Sequence, residues 1–256
     1  MTFKTNSKIM DLSIKPIKTS KDKIKQPPLA KADIIPKLGS SIIMCGRSGC
    51  GKTTLLHNLL VDDRFYGKNE YFKNIFLFSP SAEIDDLQKE LDIPDQCIFT
   101  DLTTAPAALE QIYKHQTTLI KKLGNDKAPQ IAIIMDDCIG DTKFMKNAWT
   151  IKAFIASRHF NCTTLICAQH FNRIERVNRL QASSLFFWPM SASAMEVLAD
   201  EFTPSSMTKK QFVAMVEDAL KEPYAFLHIN MKVPDDKRYR INLDKIINLD
   251  YYKSPK

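Results

Sequence analysis

Glycine is scarce in this sequence and unevenly placed. The 256 residues include 7 glycines, where average usage predicts roughly 18. Three of the seven, Gly46, Gly49 and Gly51, fall within one six-residue window. Because glycine tolerates left-handed backbone and close approach of other atoms, this clustering predicts a loop of special geometry there.

Long apolar runs and paired cysteine motifs are also missing. No apolar stretch approaches the roughly 18 residues that a membrane-spanning helix needs, so we expect no membrane span. Residues 1–23 contain no apolar core of a signal peptide, so we expect no secretory leader. The six cysteines form no CxxC pair, and most of them lie in apolar or Thr-rich runs. We therefore expect buried free thiols in a reducing, intracellular compartment.

Acidic residues are sparse at the start of the chain, where lysine dominates. Residues 1–37 contain nine lysines and three aspartates, a charge of +6 out of the total of +7. Four prolines in this stretch disfavour helix. Residues 1–37 are therefore predicted to form a basic, largely irregular N-terminal arm. Such an arm suits contact with nucleic acid or an acidic surface, and a solvated tail explains the same composition.

From Gly39 onward, short apolar runs alternate with longer helical stretches. This alternation predicts an α/β fold with a mainly parallel central sheet flanked by helices. We assign residues 38–243 to one domain and residues 244–256 to a C-terminal tail. The predicted strands cover residues 41–45, 75–78, 97–99, 131–135, 163–168, 184–188, 225–229 and 239–243. The predicted helices cover residues 53–60 and 105–123 and lie near 145–157, 191–201 and 208–220.

The glycine cluster belongs to a phosphate-binding motif. Residues 46–53 read GRSGCGKT, which matches GxxxxGK[ST] at every fixed position and lies between a predicted strand and helix. In such a loop, backbone N–H groups and the helix N-terminus face phosphate oxygens. Lys52 would contact the β- and γ-phosphates, and Thr53 would join a Mg²⁺ shell. The alternative is a Gly-rich turn with an incidental lysine. The predicted nucleotide-binding residues are Gly46, Arg47, Ser48, Gly49, Cys50, Gly51, Lys52, Thr53 and Thr54.

Two aspartates end the apolar strand predicted over residues 131–135. Strand ends in an open α/β sheet converge on the ligand crevice, so Asp136 is predicted to hold Mg²⁺ through water. Asp137 is then placed to orient the attacking water, although its side chain is one carbon shorter than glutamate. A strand that simply ends in polar turn residues is the alternative.

Polar residues also flank the next predicted strand. Gln169 follows its end and is predicted to sense hydrolysis by bonding both the γ-phosphate and the attacking water; a polar strand cap is the alternative. Arg158 precedes the strand, and Arg173, Arg176 and Arg179 follow it at helical spacing. Arginine suits phosphate binding, including as a finger acting across a subunit interface. The triplet therefore suits DNA-backbone contact, an interface or a solvated basic face.

Together these motifs resemble viral genome-packaging ATPases. The segments GRSGCGKTT, IIMDDC and SRHFNCTTLICAQ, in this order over roughly residues 38–190, are similar to the FtsK/HerA superfamily members of poxviruses, giant viruses and virophages. The resemblance implies a RecA-like P-loop core, hydrolysis of ATP with Mg²⁺ and a ring of identical subunits. It also implies translocation of double-stranded DNA into a preformed capsid, through a capsid or portal-like vertex component. Its setting would be the host cytoplasm or a viral factory, with the protein associated with virions.

The resemblance also assigns roles to individual residues. Lys52 and Thr53 form its phosphate-loop pair, Asp136 and Asp137 its acidic pair, and Gln169 its sensor. Arg158 matches the trans-acting finger best, while Arg173, Arg176 and Arg179 stay open for that role. Beyond residue 190 the resemblance covers no motif.

Two other functions use the same phosphate loop. A small-molecule kinase would close an arginine-bearing lid over the transferred phosphate. A nucleotide-dependent DNA-binding scaffold would bind nucleotide without turnover. Two acids at a strand end and a glutamine at the next strand favour a hydrolase over both.

Overall fold

The computed structural model describes residues 24–67, 70–81 and 91–253. The strands form one nine-stranded sheet with the spatial order β3-β2-β4-β5-β1-β6-β7-β8-β9. Strands β3 to β6 of this order pair in parallel, and β6 to β9 pair antiparallel. The strands are β1 Ser41–Cys45, β2 Asn74–Phe78, β3 Ile98–Phe99, β4 Ile131–Asp136, β5 Cys162–Ala168, β6 Ser184–Phe187, β7 Leu227–Asn230, β8 Tyr239–Ile241 and β9 Lys245–Ile246.

Helices cover both faces of this sheet. They are α1 Pro28–Lys31, α2 Lys52–Val61, α3 Ala105–Leu123, α4 Thr142–Lys146, α5 Ala148–Ile155, α6 Arg176–Gln181, α7 Ala192–Phe202, α8 Lys209–Ala219, α9 Asp235–Arg238 and α10 Asp250–Lys253. Adjacent strand residues point to opposite faces, so Ile43 joins the core under α3, α5, α7 and α8, whereas Ile42 joins the core under α1 and α2. The predicted α/β class with a mainly parallel, helix-flanked sheet is confirmed.

The helix predicted near 145–157 is wrong as a single element. It is two short helices, α4 and α5, which meet at Asn147. Asn147 has an extended backbone, and its side-chain oxygen accepts a hydrogen bond from the Trp149 N–H at 2.9 Å. This N-cap satisfies a donor that the second helix would otherwise leave free, so it competes with a continuous helix.

Residues beyond both predicted limits of the domain are buried in its core. Ala30 and Ile35, from the part of the predicted arm that the structure describes, are 0% and 1% exposed in the core beside α2. Ile247 and Leu249 of the predicted tail are also buried. Residues 1–23 of the arm and 254–256 of the tail lie outside the described residues. The limits at residues 37 and 243 stay predictions. None of the described helices is long and apolar enough to cross a membrane.

Candidate nucleotide-binding site

The glycine-rich loop connects β1 to the N-terminus of α2 at the carboxyl edge of the parallel strands. Gly49 and Gly51 have φ of 71° and 105°, in the left-handed region that favours glycine. Gly46 is needed for space, because a Cβ there would lie 2.7 Å from both Cys50 Sγ and Trp188 Cβ. The loop therefore uses its glycines in two ways, for backbone curvature and for close packing against β6.

Lys52 is the first residue of α2 and folds back over this loop. Its Nζ donates hydrogen bonds to the carbonyl oxygens of Gly46 at 2.8 Å and Arg47 at 2.9 Å. Thr53 and Thr54 are exposed in the first turn of the same helix. A positive charge, two hydroxyl groups and the free N–H groups of a helix start thus lie together, which is the chemistry that binds a polyphosphate.

The acidic residues lie at the same edge of the sheet, on the β4 side of the loop. Asp136 is the last residue of β4, and Asp137 follows it with a left-handed φ of 52°. The N–H of Asp137 donates to the Cys167 carbonyl of β5 at 3.1 Å, which holds the turn against β5. Gln169 Nε2 donates to Asp137 Oδ2 at 2.9 Å, so the predicted acid and the predicted sensor are in contact.

Strand order explains why these groups face the loop. The loop strand β1 pairs directly with β5, and β5 pairs with β4. The N–H of Gly46 also donates to the Ala168 carbonyl of β5 at 3.1 Å. Asp136 therefore lies two strand spacings from the loop, about 10 Å sideways. The structure brings Lys52, Thr53, Asp136, Asp137 and Gln169 to one edge, as the strand-end argument predicts.

Three buried thiols near the acids and the loop, Cys45, Cys138 and Cys167, add no negative charge. Burial raises the pKa of the Cys45 thiol to about 12, against a weaker opposing effect of Lys52. Burial, reinforced by the Asp136 carboxylate, also raises the pKa of Cys138 and of Cys167 far above the usual range. These groups stay neutral at physiological pH, and all six cysteines are free. The thiols therefore add no negative charge to that of Asp136 and Asp137.

A cavity of about 560 Å³ opens on the other side of the loop, towards β6, β7 and β8. It begins at the loop and the first turns of α2 and ends at chain segments that precede β7 and follow β8. Its lining includes Thr53, Thr54, Asn58, Arg64, Trp188, Tyr224, Phe226, Asn242, Leu243 and Asp244. A larger groove of about 730 Å³ lies between α7 and α8 and contains none of the predicted site residues.

Sequence reasoning missed this second side of the site. Trp188 could have been found, because it is the last residue of a predicted strand and so lies at the same sheet edge as Asp136 and Gln169. Tyr224 and Asn242 carry no comparable signal. Tyr224 precedes β7 and Asn242 follows β8, and the antiparallel pairing of these strands brings both residues to the carboxyl edge of the parallel half.

Comparison with protein families identifies the chain. Residues 35–250 match the family described as Poxvirus A32 protein. This chain belongs to the poxvirus A32 protein family. The predicted resemblance to poxvirus-type proteins is therefore confirmed. A comparison with curated protein sequences found no match.

Solved structures with the same fold include viral and bacterial proteins. The genome packaging NTPase B204 from Sulfolobus turreted icosahedral virus 2, in complex with AMP, matches with a TM-score of 0.54 and 13% identity over 81% of this chain and 98% of B204. Its complex with ATP-gammaS gives a TM-score of 0.52 and 13% identity over 82% and 99%. The solved chain of EssC (ATPases 2 and 3) from Geobacillus thermodenitrificans gives a TM-score of 0.54 and 14% identity over 80% of this chain and 39% of that chain. These matches confirm a P-loop ATPase fold for the A32-family chain.

Arg158 lies at the edge of the sheet opposite the phosphate loop. It is exposed in the short 3₁₀ turn Ser157–Phe160 that precedes β5, whereas Gln169 follows the end of β5. The seven residues of β5 separate these positions, a length of about 23 Å. Arg158 of this A32-family chain is therefore too far from its own phosphate loop to contact a bound phosphate.

The other three arginines do not share one helical face, contrary to the prediction. Arg173 lies in the 3₁₀ turn Phe171–Arg173, before α6 begins at Arg176. Arg179 is 8% exposed, and its guanidinium binds Glu201 with two hydrogen bonds of 2.8 and 2.6 Å. This buried pair fixes α6 to α7, so Arg179 is unavailable to DNA or to a neighbouring subunit. Arg173 and Arg176 are exposed.

The residues present fit a magnesium ion only in company with a ligand's phosphates. Among residues 24–67, 70–81 and 91–253, no group of three or more His, Cys, Asp or Glu side chains could hold a metal. Thr53 and Asp136 offer a hydroxyl and a carboxylate, the hard oxygen ligands that Mg²⁺ accepts while keeping waters and phosphate oxygens in its shell.

Proposed function

We propose that this A32-family chain is an ATP-hydrolysing motor that moves double-stranded viral DNA into a preformed capsid. The observation that carries the proposal is the contact between Gln169 and Asp137, 2.9 Å long, beside a complete phosphate loop. Family membership supports the viral setting, and the fold that the chain shares with the genome packaging NTPase B204 supports the class of activity.

Binding of ATP would begin at the loop. The N–H groups of residues 46–53 and the start of α2 surround the phosphates, and the Lys52 ammonium turns from the Gly46 and Arg47 carbonyls to the β- and γ-phosphate oxygens. Thr53 and Asp136 would hold Mg²⁺, directly and through water. When bound, Mg²⁺ neutralises charge that builds on the β- and γ-phosphates during transfer.

Hydrolysis would use the contact at the ends of β4 and β5. Asp137 accepts a hydrogen bond from the water that attacks the γ-phosphorus and takes its proton, while the bond from that phosphorus to the β–γ bridging oxygen breaks and ADP leaves. Gln169 holds the Asp137 carboxylate through its amide N–H₂, and its free carbonyl oxygen reaches the same water. The second amide N–H of Gln169 would donate to the γ-phosphate. Loss of that phosphate would release Gln169, and the 3₁₀ turn Phe171–Arg173 just beyond it would carry the change outward.

DNA would be held through its backbone, without sequence preference. The lysine-rich arm and the exposed Arg173 and Arg176 supply positive charge for phosphate contacts. A ring of identical subunits would surround the duplex and dock on a capsid or portal-like vertex component. Six free cysteines support a reducing compartment, the host cytoplasm or a viral factory, before the protein joins virions.

The test is phosphate release from γ-labelled ATP, with and without duplex DNA, by wild type and Lys52→Ala. We expect release that DNA stimulates in wild type and that falls at least 100-fold in Lys52→Ala, because the β- and γ-phosphates lose their cation. Lys209→Ala is the matched control, since Lys209 is also the first residue of a helix but lies in the α7–α8 groove. Equal rates in wild type and Lys52→Ala would refute hydrolysis at this site. Label on an acceptor would support a kinase, and binding without release would support a scaffold.

Arg158 would complete the site of the neighbouring subunit, because the length of β5 keeps it from its own. Arg158→Ala subunits keep their own phosphate loop, and Lys52→Ala subunits keep their own arginine. Mixing these two inactive variants should restore part of the hydrolysis if a wild-type arginine then faces a wild-type loop. No recovery at any mixing ratio would exclude a trans role for Arg158.

A further inference from the structure

Tyr224 is held in a costly conformation at the mouth of the 560 Å³ cavity. Its φ is 63°, and the residue is 74% exposed in the turn between α8 and β7. A left-handed backbone is unusual for a bulky aromatic residue and persists where the surroundings impose it, commonly at functional sites. The ring lies over the end of the phosphate loop, where a Cβ on Gly51 would be 3.9 Å from Tyr224 Cδ1.

The inner wall of the cavity is aromatic. Trp188 is 1% exposed, packs against Phe226 with ring centroids 5.2 Å apart, and places its Nε1 3.6 Å from a Cβ on Gly51. Tyr224 and Trp188 therefore both lie beside Gly51 and line the space beyond the loop. A flat, partly apolar group attached to a phosphate chain would fit between the loop and these rings.

A polar turn closes the far end of the cavity. Asn242 Oδ1 accepts a hydrogen bond from the Phe226 N–H at 3.2 Å, and the Asn242 N–H donates to the Phe226 carbonyl at 2.8 Å. Because its side-chain oxygen is engaged, Asn242 presents its amide N–H₂ as a donor. Asp244, two residues on, presents a carboxylate acceptor. The buried Arg240 donates to the Leu243 carbonyl at 3.3 Å, which supports the turn from below.

We propose that Tyr224 stacks on the base of the bound nucleotide and that Asn242 and Asp244 read its edge. The inference rests on the proposed function for the phosphate end of the site and adds the residues that determine base specificity. A nucleobase presents one flat face and an edge with neighbouring acceptor and donor atoms, which matches an aromatic ring beside a donor and an acceptor. The cavity volume lies in the range of small-molecule sites.

Equilibrium binding of ATP and of inorganic tripolyphosphate separates the base from the phosphates. Stacking of a base on an aromatic side chain contributes about 1–3 kcal/mol, so we expect Tyr224→Ala to raise the Kd for ATP by about 5- to 150-fold. The Kd for tripolyphosphate should stay unchanged, since Tyr224 contacts no phosphate. Tyr224→Phe should keep ATP affinity. Tyr224→Gly should lose it while folding without strain, because glycine adopts this φ freely. Tyr251→Ala is the matched control, a tyrosine that is 62% exposed away from the cavity.

Asp244→Asn tests the edge contact. It exchanges an acceptor for a mixed donor and acceptor, so the ratio of Kd values for ATP, GTP and CTP should change severalfold while tripolyphosphate binding stays constant. Wild-type ATP affinity in Tyr224→Ala, or unchanged base ratios in Asp244→Asn, would overturn the inference and leave the phosphate loop intact. A wild-type protein that binds neither ATP nor tripolyphosphate would instead refute the proposed function.

Discussion

The phosphate loop divides the carboxyl edge of the sheet into two unlike sides. On the β4–β5 side, Asp136, Asp137 and Gln169 bring carboxylates and an amide to the expected position of the γ-phosphate. On the β6–β8 side, Trp188 and Tyr224 bring aromatic rings to a cavity of about 560 Å³. In the proposed function, the first side supplies the groups for hydrolysis and the second the groups that hold the nucleotide.

The two sides also differ in how the chain builds them. Parallel strands all end at the same edge, so each residue that follows a strand on the β4–β5 side reaches the site. Antiparallel strands alternate in direction, so at a given edge of the sheet one strand begins and its neighbour ends. The first contributes the residue that precedes it, and the second contributes the residue that follows it. Tyr224 and Asn242 meet at the site for this reason, although 18 positions separate them in the sequence.

Asp137→Asn should have the largest effect, which we expect on the rate of hydrolysis and not on the affinity for ATP. Loss of a general base costs about 100- to 10,000-fold in rate, so we expect that fall in kcat. The Kd for ATP should change less than about threefold, because asparagine keeps the shape and the contact to Gln169. Single-turnover hydrolysis and equilibrium binding measure the two quantities separately.

Gln169→Ala probes the same contact from its other end. We expect a smaller fall in kcat, about 10- to 100-fold, since a hydrogen bond to a charged group is lost. The double variant should be no slower than Asp137→Asn, because the two residues act on one water. Additive losses would mean that the 2.9 Å contact has no part in the reaction.

The stability of the folded protein should depend on pH through a histidine on the β6–β8 side. His228 of β7 is the only buried histidine of the five, all of which lie in the described part of the chain. It stacks on Phe186 and bonds Ser184 Oγ at 3.0 Å. Burial, reinforced by the charge of Arg240, lowers the pKa of His228 to about 3. The unfolded chain has a histidine pKa of about 6.5 and binds the proton first, so stability is lost as pH falls below 6.5.

The expected loss approaches about 4 kcal/mol near pH 3.5. Urea unfolding between pH 7 and pH 3.5 measures it. His228→Asn should flatten the pH dependence, whereas His115→Asn, which removes an exposed histidine of α3, should leave the curve unchanged. A wild-type curve in His228→Asn would assign the acid sensitivity to other groups.

Local signals predicted the fold and the β4–β5 side well. The helix over residues 105–123 has its predicted bounds, because its apolar positions recur at helical spacing over many turns. The phosphate loop and the acidic strand end are each contained in a few consecutive residues. Their predicted catalytic and binding roles stay predictions until the variants are measured.

Contacts between residues far apart in the chain could not be predicted from the local sequence. Arg179 has the spacing of a basic surface, but its partner Glu201 lies 22 positions further on, so burial could not be read locally. Tyr224 is exposed and aromatic, which by itself predicts nothing. Its position becomes informative when antiparallel pairing places it beside Gly51.

One pair of measurements tests directly whether the two sides of the loop have separate roles. These are ATP affinity and single-turnover hydrolysis at saturating ATP, in Tyr224→Ala and Asp137→Asn. We predict that Tyr224→Ala needs about tenfold more ATP but hydrolyses at nearly the wild-type rate once saturated. We predict that Asp137→Asn binds ATP like wild type and hydrolyses it at least about 100-fold more slowly. If each variant lost affinity and rate together, the two sides of the loop would not have separate roles.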